Sequence, residues 1–314
     1  MTSSSPAATR VVAFVAVLTT LVTACASTAS PTPSAKQSSA PAQGSAQTAI
    51  LPIQVTSFFH VGDNRVIFGL ADSTGQKAIA TPDRTLTVGF SGPAGQTIAS
   101  APMSFIWALQ PVNGVYVGHA TFPATGKWTA NFTTTAPGSP SLNLTFGFDV
   151  LDRSPVVSEG DAAPSVKTPT LADVGGDVAK ISSDPKPVKR FYETSEADAL
   201  AAKKPFILIF ATPKFCQTAT CGPTLDRLKP VAAAHPELTF INVEPYKLEF
   251  TNGELQPVLT GQDLTPVEAT NAFKLTTEPY VFVIGADGKV SATFELVFSP
   301  EEIEAAIHEV EKAG

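Results

Sequence analysis

The chain has 314 residues, 27 of them proline, with 43% hydrophobic and 16% charged residues and a formal charge of -7 from 21 Lys and Arg against 28 Asp and Glu. That composition excludes a coiled coil and a wholly disordered chain. The acidic balance, without clustered Lys or Arg, excludes a nucleic-acid partner, because phosphate binding needs such clusters. Three cysteines, four histidines and two methionines predict no cofactor and no dense metal cluster. Length alone predicts about two domains.

The first residues are polar up to Arg10, and an apolar run from Val11 to Val22 follows, interrupted by Thr19 and Thr20. A membrane-spanning helix needs about 20 apolar residues, so residues 1–24 are predicted to be a signal peptide. Leu21-Val22-Thr23-Ala24-Cys25 resembles the bacterial lipobox, a branched residue and two small ones ahead of a cysteine. The resemblance implies that Cys25 carries lipid and that the chain is held on the extracytoplasmic side of the cell membrane. Residues 25–49 are almost entirely Ala, Ser, Thr, Pro, Gln and Gly and bury no apolar surface, which predicts a disordered tether.

Residues 50–152 alternate short β-rich runs with turn residues. The expected strands are Ile53 to Val61, Arg65 to Leu70, Thr85 to Phe90, Ser104 to Leu109, Val115 to Phe122, Lys127 to Thr134 and Leu142 to Val150. Seven short strands over about 100 residues predict a β-sandwich of immunoglobulin type, with Trp107 and Trp128 in its core. Val115 to Phe132 is similar to the closing strands of small extracytoplasmic immunoglobulin-like modules, in which a glycine precedes a buried tryptophan. His60 and His119 lie apart from cysteines and carboxylate clusters and are read as strand or surface residues. Residues 153–190, with Pro155, Pro164, Pro169, Pro185 and Pro187, are predicted to be a linker with little regular structure, separating two units that share no core.

From Phe191 helix and strand alternate. Thr194 caps a helix over Glu196 to Ala202, and Phe206 to Phe210 is an unbroken apolar run, the pattern of a strand buried on both faces. A loop with two cysteines, a helix from Pro223 to Ala234 and the strand Leu238 to Val243 follow. Thr265-Pro266 predicts a helix start, and Tyr280 to Ile284 pairs with Val290 to Phe298 across Gly285-Ala286-Asp287-Gly288. Ser299-Pro300-Glu301-Glu302 caps a last helix with Ile303, Ile307 and Val310 on one stripe.

This order, with KPFILIFATPKFCQTATCGP after the first helix and EPYVFVIGADGKV before the last, resembles the thioredoxin superfamily over residues 191–314. The resemblance implies an α/β thioredoxin-like domain following the immunoglobulin-like sandwich. It implies a cysteine pair at the mouth of a helix, with Pro279 in cis packed beside the thiols. Cys216 and Cys221 have four residues between them where redox members have two. On one helix they would be about 7.5 Å apart along the axis and about 140° around it, so Cys216 is expected in the loop ahead of the helix. An oxidising compartment, and three cysteines less the lipidated one, predict a Cys216–Cys221 disulfide.

Phe215 stands where the family has Trp, and Ile209 where many reductases keep a buried Asp, so the resolving thiol lacks an obvious base. Glu278, ahead of Pro279, opposes a thiolate that the helix N-terminus favours. Cys216 is the expected nucleophile and Cys221 the resolving thiol. The alternative register takes Cys221-Gly222-Pro223-Thr224 as a motif whose second cysteine has become Thr. The functions these readings support are thiol-disulfide exchange with envelope protein thiols or disulfides, a redox-silent binding module with a structural Cys216–Cys221 bridge, and, furthest behind, copper handling. Sco-type copper chaperones have three residues between their cysteines and a distal histidine that neither His235 nor His308 supplies at the expected place.

Overall fold

Residues 126–135, GKWTANFTTT, show how the first half folds. Trp128, Ala130, Phe132 and Thr134 are buried while Lys127, Asn131 and Thr133 face water, the period-two pattern of a strand with one face on a core. A computed structural model describes residues 50–313, so the expected signal peptide, lipidated Cys25 and tether lie outside the described residues. Nine strands make the sandwich: β1 (Leu51–Gln54), β2 (Phe59–His60), β3 (Gly62–Ala71), β4 (Thr85–Ser91), β5 (Thr97–Pro102), β6 (Ser104–Leu109), β7 (Asn113–Phe122), β8 (Gly126–Thr135) and β9 (Leu142–Leu151). They form two sheets, in the orders β1-β3-β7-β6 and β2-β9-β8-β4-β5.

Phe59, Phe68, Phe90, Phe122, Phe132, Phe148 and Trp128 fill the space between the sheets. Several of these rings meet edge to face, Phe59 on Phe148 at 4.7 Å and Phe122 on Trp128 at 5.1 Å between centroids. Gly126 opens β8 at φ 113°, a conformation that β-carbons disfavour. Trp107, expected in this core, lies half-buried on the edge strand β6 against Phe105. The expected first strand is broken into β1 and β2, and β5 carries too little apolar alternation to be read from sequence.

In the second half, α1 (Glu196–Ala201) leads into β10 (Phe206–Phe210), then α2 (Cys221–Ala234) and β11 (Thr239–Val243). Two small hairpins follow, β12 (Leu248–Thr251) with β13 (Glu254–Pro257), and β14 (Leu259–Thr260) with β15 (Asp263–Leu264). Then come α3 (Glu268–Ala272), β16 (Tyr280–Ile284), β17 (Val290–Glu295) and α4 (Pro300–Ala313). The sheet order is β11-β10-β16-β17, with β10 parallel to β11 and antiparallel to β16. All five residues of β10 are buried, as an unbroken apolar run in a central strand requires. Ile207 and Ile209 pack with α2 and α4 on one face, and Phe206, Leu208 and Phe210 pack on the other with α3. The helix expected from Thr265-Pro266 begins instead at Glu268, because Pro266 bridges to Tyr246.

Residues 153–190 are not a free tether. Val156, Val157, Ala163 and Val166 are buried against Phe206, Leu208 and Phe282 on the second face of that sheet. Val157 N donates to Phe273 O at 3.2 Å, Ala163 N to Gly288 O at 2.9 Å, and Val166 N to the buried carboxylate of Glu196 at 2.6 Å. Three short 3-10 turns, Leu171–Val174, Val178–Lys180 and Lys189–Tyr192, complete the stretch. Prolines hide the packing in the sequence, since the buried valines fall at irregular intervals set by the surface they cover.

Nor do the two halves keep separate surfaces, and the described residues form one compact unit. Ile67, Val115 and Val117 point away from the sandwich core and are buried with Val297, the residue two places beyond β17. Around this apolar contact Arg65 forms a two-pronged ion pair with Glu302 at 2.6 and 3.0 Å, and its guanidinium lies 5.6 Å over the Phe294 ring. Glu295 accepts from the backbone N of Ser57 at 3.0 Å, and Arg227 donates to Trp107 O. Burial of a sheet on both faces explains why β3 reads as a continuous apolar run rather than an alternating one. Ile67→Ala leaves a cavity in this contact and is expected to cost about 3 kcal/mol in a single unfolding transition of both halves, read by calorimetry. Two transitions, or limited proteolysis cutting first within residues 153–190, would contradict it.

Candidate functional site

The strand β10 delivers the chain to the edge of the sheet, and residues 211–220 form the loop that holds the first cysteine. Cys216 lies in this loop, half-buried, and Cys221 is the first residue of α2 and wholly buried. The two form a disulfide with α-carbons 6.0 Å apart. The four intervening residues make the turn, with Ala219 at φ 61°, a left-handed conformation that costs an alanine roughly 1–2 kcal/mol. Cys221 N donates to Cys216 Sγ at 3.2 Å. The helix N-terminus therefore aims a hydrogen-bond donor at the more accessible sulfur, the arrangement that stabilises a thiolate there.

Glu278 is the second element of the site. It is 2% exposed, and its carboxylate accepts from the backbone N of Gln217 at 2.7 Å and from the hydroxyl of Tyr246. Its carbonyl accepts from Thr218 Oγ1 at 2.7 Å. One residue thus pins two consecutive residues of the cysteine turn, with side-chain oxygen and both sulfurs within 4.8 Å of one another. The Glu278–Pro279 peptide bond is cis, and Pro279 is buried at the entry to β16. Tyr246 also accepts from Gln217 Nε2 at 2.8 Å, and burial followed by the neighbouring Glu278 raises its phenol above the usual range. Lys214 ties the near side of the loop to the hairpin of β12 and β13 through Glu254 at 2.5 Å, and its ammonium lies 5.5 Å over Phe215.

Ile209, read as replacing a buried acid, is fully buried between Asn242 and Val281. A carboxylate does lie under the start of the loop, but on the neighbouring strand's continuation. Glu244 accepts from Ser183 N at 2.6 Å, Ser183 Oγ lies 3.4 Å from Thr212 Oγ1, and Lys214 N donates to Ser183 Oγ at 3.2 Å. Sequence reasoning missed Glu244, Tyr246, Gln217 and Thr218. Glu244 follows the apolar strand directly, and a lone acid ending such a strand is the signal that was there to be read. Tyr246 is brought in by hairpins whose mostly exposed residues carry no clear pattern. His60 and His119 lie in the sandwich half, away from this loop, in β2 and β7.

No family model matches the chain, and no curated protein matches it. Among solved structures, a DUF4426 family protein from Pseudomonas aeruginosa PAO1 matches at 11% identity and a TM-score of 0.23, over 30% of this chain and 77% of that one. A likeness of that size carries no argument about fold or function.

Desolvation pushes the carboxyl of Glu244 up to about 7, and that of Glu196 likewise. The folded chain then holds protons that the unfolded chain releases near 4.5, so the stability from these groups is complete below that pH and is lost as pH rises to about 7. Glu244→Gln is expected to flatten the fall in denaturation midpoint between about pH 4.5 and 7. An unchanged pH profile would show that Glu244 is ionised throughout.

Proposed function

We propose that the chain is a thioredoxin-like thiol-disulfide exchange protein held at the outer face of the cell membrane by lipid on Cys25, with an immunoglobulin-like sandwich ahead of its α/β half. The observation that carries the redox reading is the pairing of a half-buried Cys216 with a buried Cys221 at a helix N-terminus whose N–H is directed at Cys216 Sγ. A partner thiolate attacks Cys216 Sγ, a mixed disulfide forms, and the Cys216–Cys221 bond breaks to leave Cys221 as thiolate. A second partner thiol then displaces Cys216, so the partner leaves oxidised by two electrons and the pair is reduced. In reverse, the Cys216 thiolate attacks a partner disulfide and Cys221 resolves it. Burial of Cys221 beside the Glu278 carboxylate raises the cost of its thiolate, while the bonds from Glu278 to Gln217 and Thr218 hold the turn that carries Cys216.

A second reading is favoured by the complete burial of Cys221 and the pinning of the turn by Glu278: the bridge staples the loop, and the α/β half is a redox-silent platform for assembly. Closing so short a loop stabilises by about 2 kcal/mol. The two readings separate by trapping. Cys221→Ser is expected to capture envelope proteins as mixed disulfides on Cys216, and Cys216→Ser few. Capture by neither variant, with stability lowered in both, would establish the staple, and capture chiefly on Cys221 would reverse the roles. Cys25→Ala is expected to move the protein from the membrane to the soluble fraction, and retention would overturn the lipid anchor.

A further inference from the structure

The C-terminal end of α2 and one stripe of α4 bring together residues that are 69 and more positions apart. His235 follows the last residue of α2, and Glu304, His308 and Glu311 recur at the spacing of one face of α4. The ring of His235 is 12% exposed and both its nitrogens are engaged by carboxylates. Nε2 lies 2.9 Å from Glu304, while Nδ1 lies 3.5 Å from Glu237 and 3.4 Å from Glu311. The other oxygen of Glu311 is 3.5 Å from Nδ1 of His308, whose ring stands 6.2 Å from that of His235.

Two features of this arrangement differ from a chance surface cluster of acids. A ligating histidine almost always gives its other ring N–H to a carboxylate, which fixes the tautomer and leaves the first nitrogen free for a metal. Glu304 on Nε2 is that carboxylate, and Nδ1 then faces the two others. The separations also fit. Tetrahedral bonds of about 2.0–2.1 Å to nitrogen and oxygen place neighbouring ligand atoms about 3.3–3.4 Å apart. The distances from His235 Nδ1 to Glu237 and Glu311, 3.5 and 3.4 Å, match that spacing, and the three ligand atoms all lie within 4.8 Å of one another. The negative end of the α2 dipole adds to the attraction for a cation.

We propose that His235, Glu237 and Glu311 form a zinc(II) site, with His308 as the fourth ligand and Glu304 as the outer carboxylate that orients His235. Imidazole with carboxylate suits zinc or another late first-row divalent ion over magnesium or calcium, which prefer all-oxygen shells. The site is independent of the cysteine pair, and the ion would join the last helix to the end of the helix that carries Cys221.

The test uses the purified chain carrying Cys25→Ala with its disulfide intact, so that no thiol contributes, stripped with a chelator and titrated with zinc against a chromophoric competitor. One equivalent of zinc is expected to bind at micromolar or lower concentration, with an excess of magnesium or calcium not displacing it. His235→Gln and Glu311→Gln are each expected to weaken binding at least tenfold, and Glu304→Gln by about 10–100-fold. His308→Gln and Glu237→Gln change exposed side chains and keep the test valid should a buried variant unfold; both are expected to weaken binding, with an unchanged circular dichroism spectrum. No stoichiometric binding, or wild-type affinity in folded Glu237→Gln and His308→Gln together, would overturn the proposal.

Discussion

Burying every residue of one strand, Phe206 to Phe210, on both faces is the constraint on which the rest of the second half depends. One face is closed by α2 and α4. The other is closed by α3 and by the segment 153–190, whose valines cover Phe206, Leu208 and Phe282. Because the strand cannot shift without exposing a large aromatic or aliphatic side chain, its C-terminal end fixes where the cysteine loop begins. The first half of α2, held by the same core through Cys221, Leu225 and Leu228, fixes where the loop must end. Cys216 lies in the loop between the end of β10 and Cys221 at the start of α2, and Glu278 adds the bonds that set the shape of the turn.

The same logic joins the halves. A sheet with one face on its own core has a second face to cover, and on β3 and β7 that face carries Ile67, Val115 and Val117. Val297 and the ring of charged contacts around Arg65 cover it. A partly buried ion pair such as Arg65 with Glu302 gives little net stability after desolvation, but leaving either partner alone is costly. The apolar contact supplies the stability, and the charged groups around it are paired.

Legibility in the sequence varied with the type of signal. Unbroken apolar strands, the turn at Gly285 to Gly288 and the stripe Ile303, Ile307, Val310 were legible because each obeys a local period. The cysteine pair and Glu278 were legible because a rare residue or a pre-proline position marked them. Residues 153–190 were misread as a tether, since their burial is dictated by the surface they cover and not by any period of their own. Glu244 and Tyr246 join the site only through strand placement and the hairpin insertion. Likewise His235 and His308 were weighed only as a distal copper ligand, and their proximity exists only once α2 and α4 are packed together.

On the proposed function, the Cys216–Cys221 bond is made to be exchanged rather than to last. Its reduction potential, from equilibration of the full chain with glutathione or dithiothreitol mixtures and quantification of the free thiols, tests this most directly. Exchange predicts a value above about -300 mV, within reach of partner dithiols. A value well below about -300 mV would mark a permanent structural bridge and contradict the exchange reading.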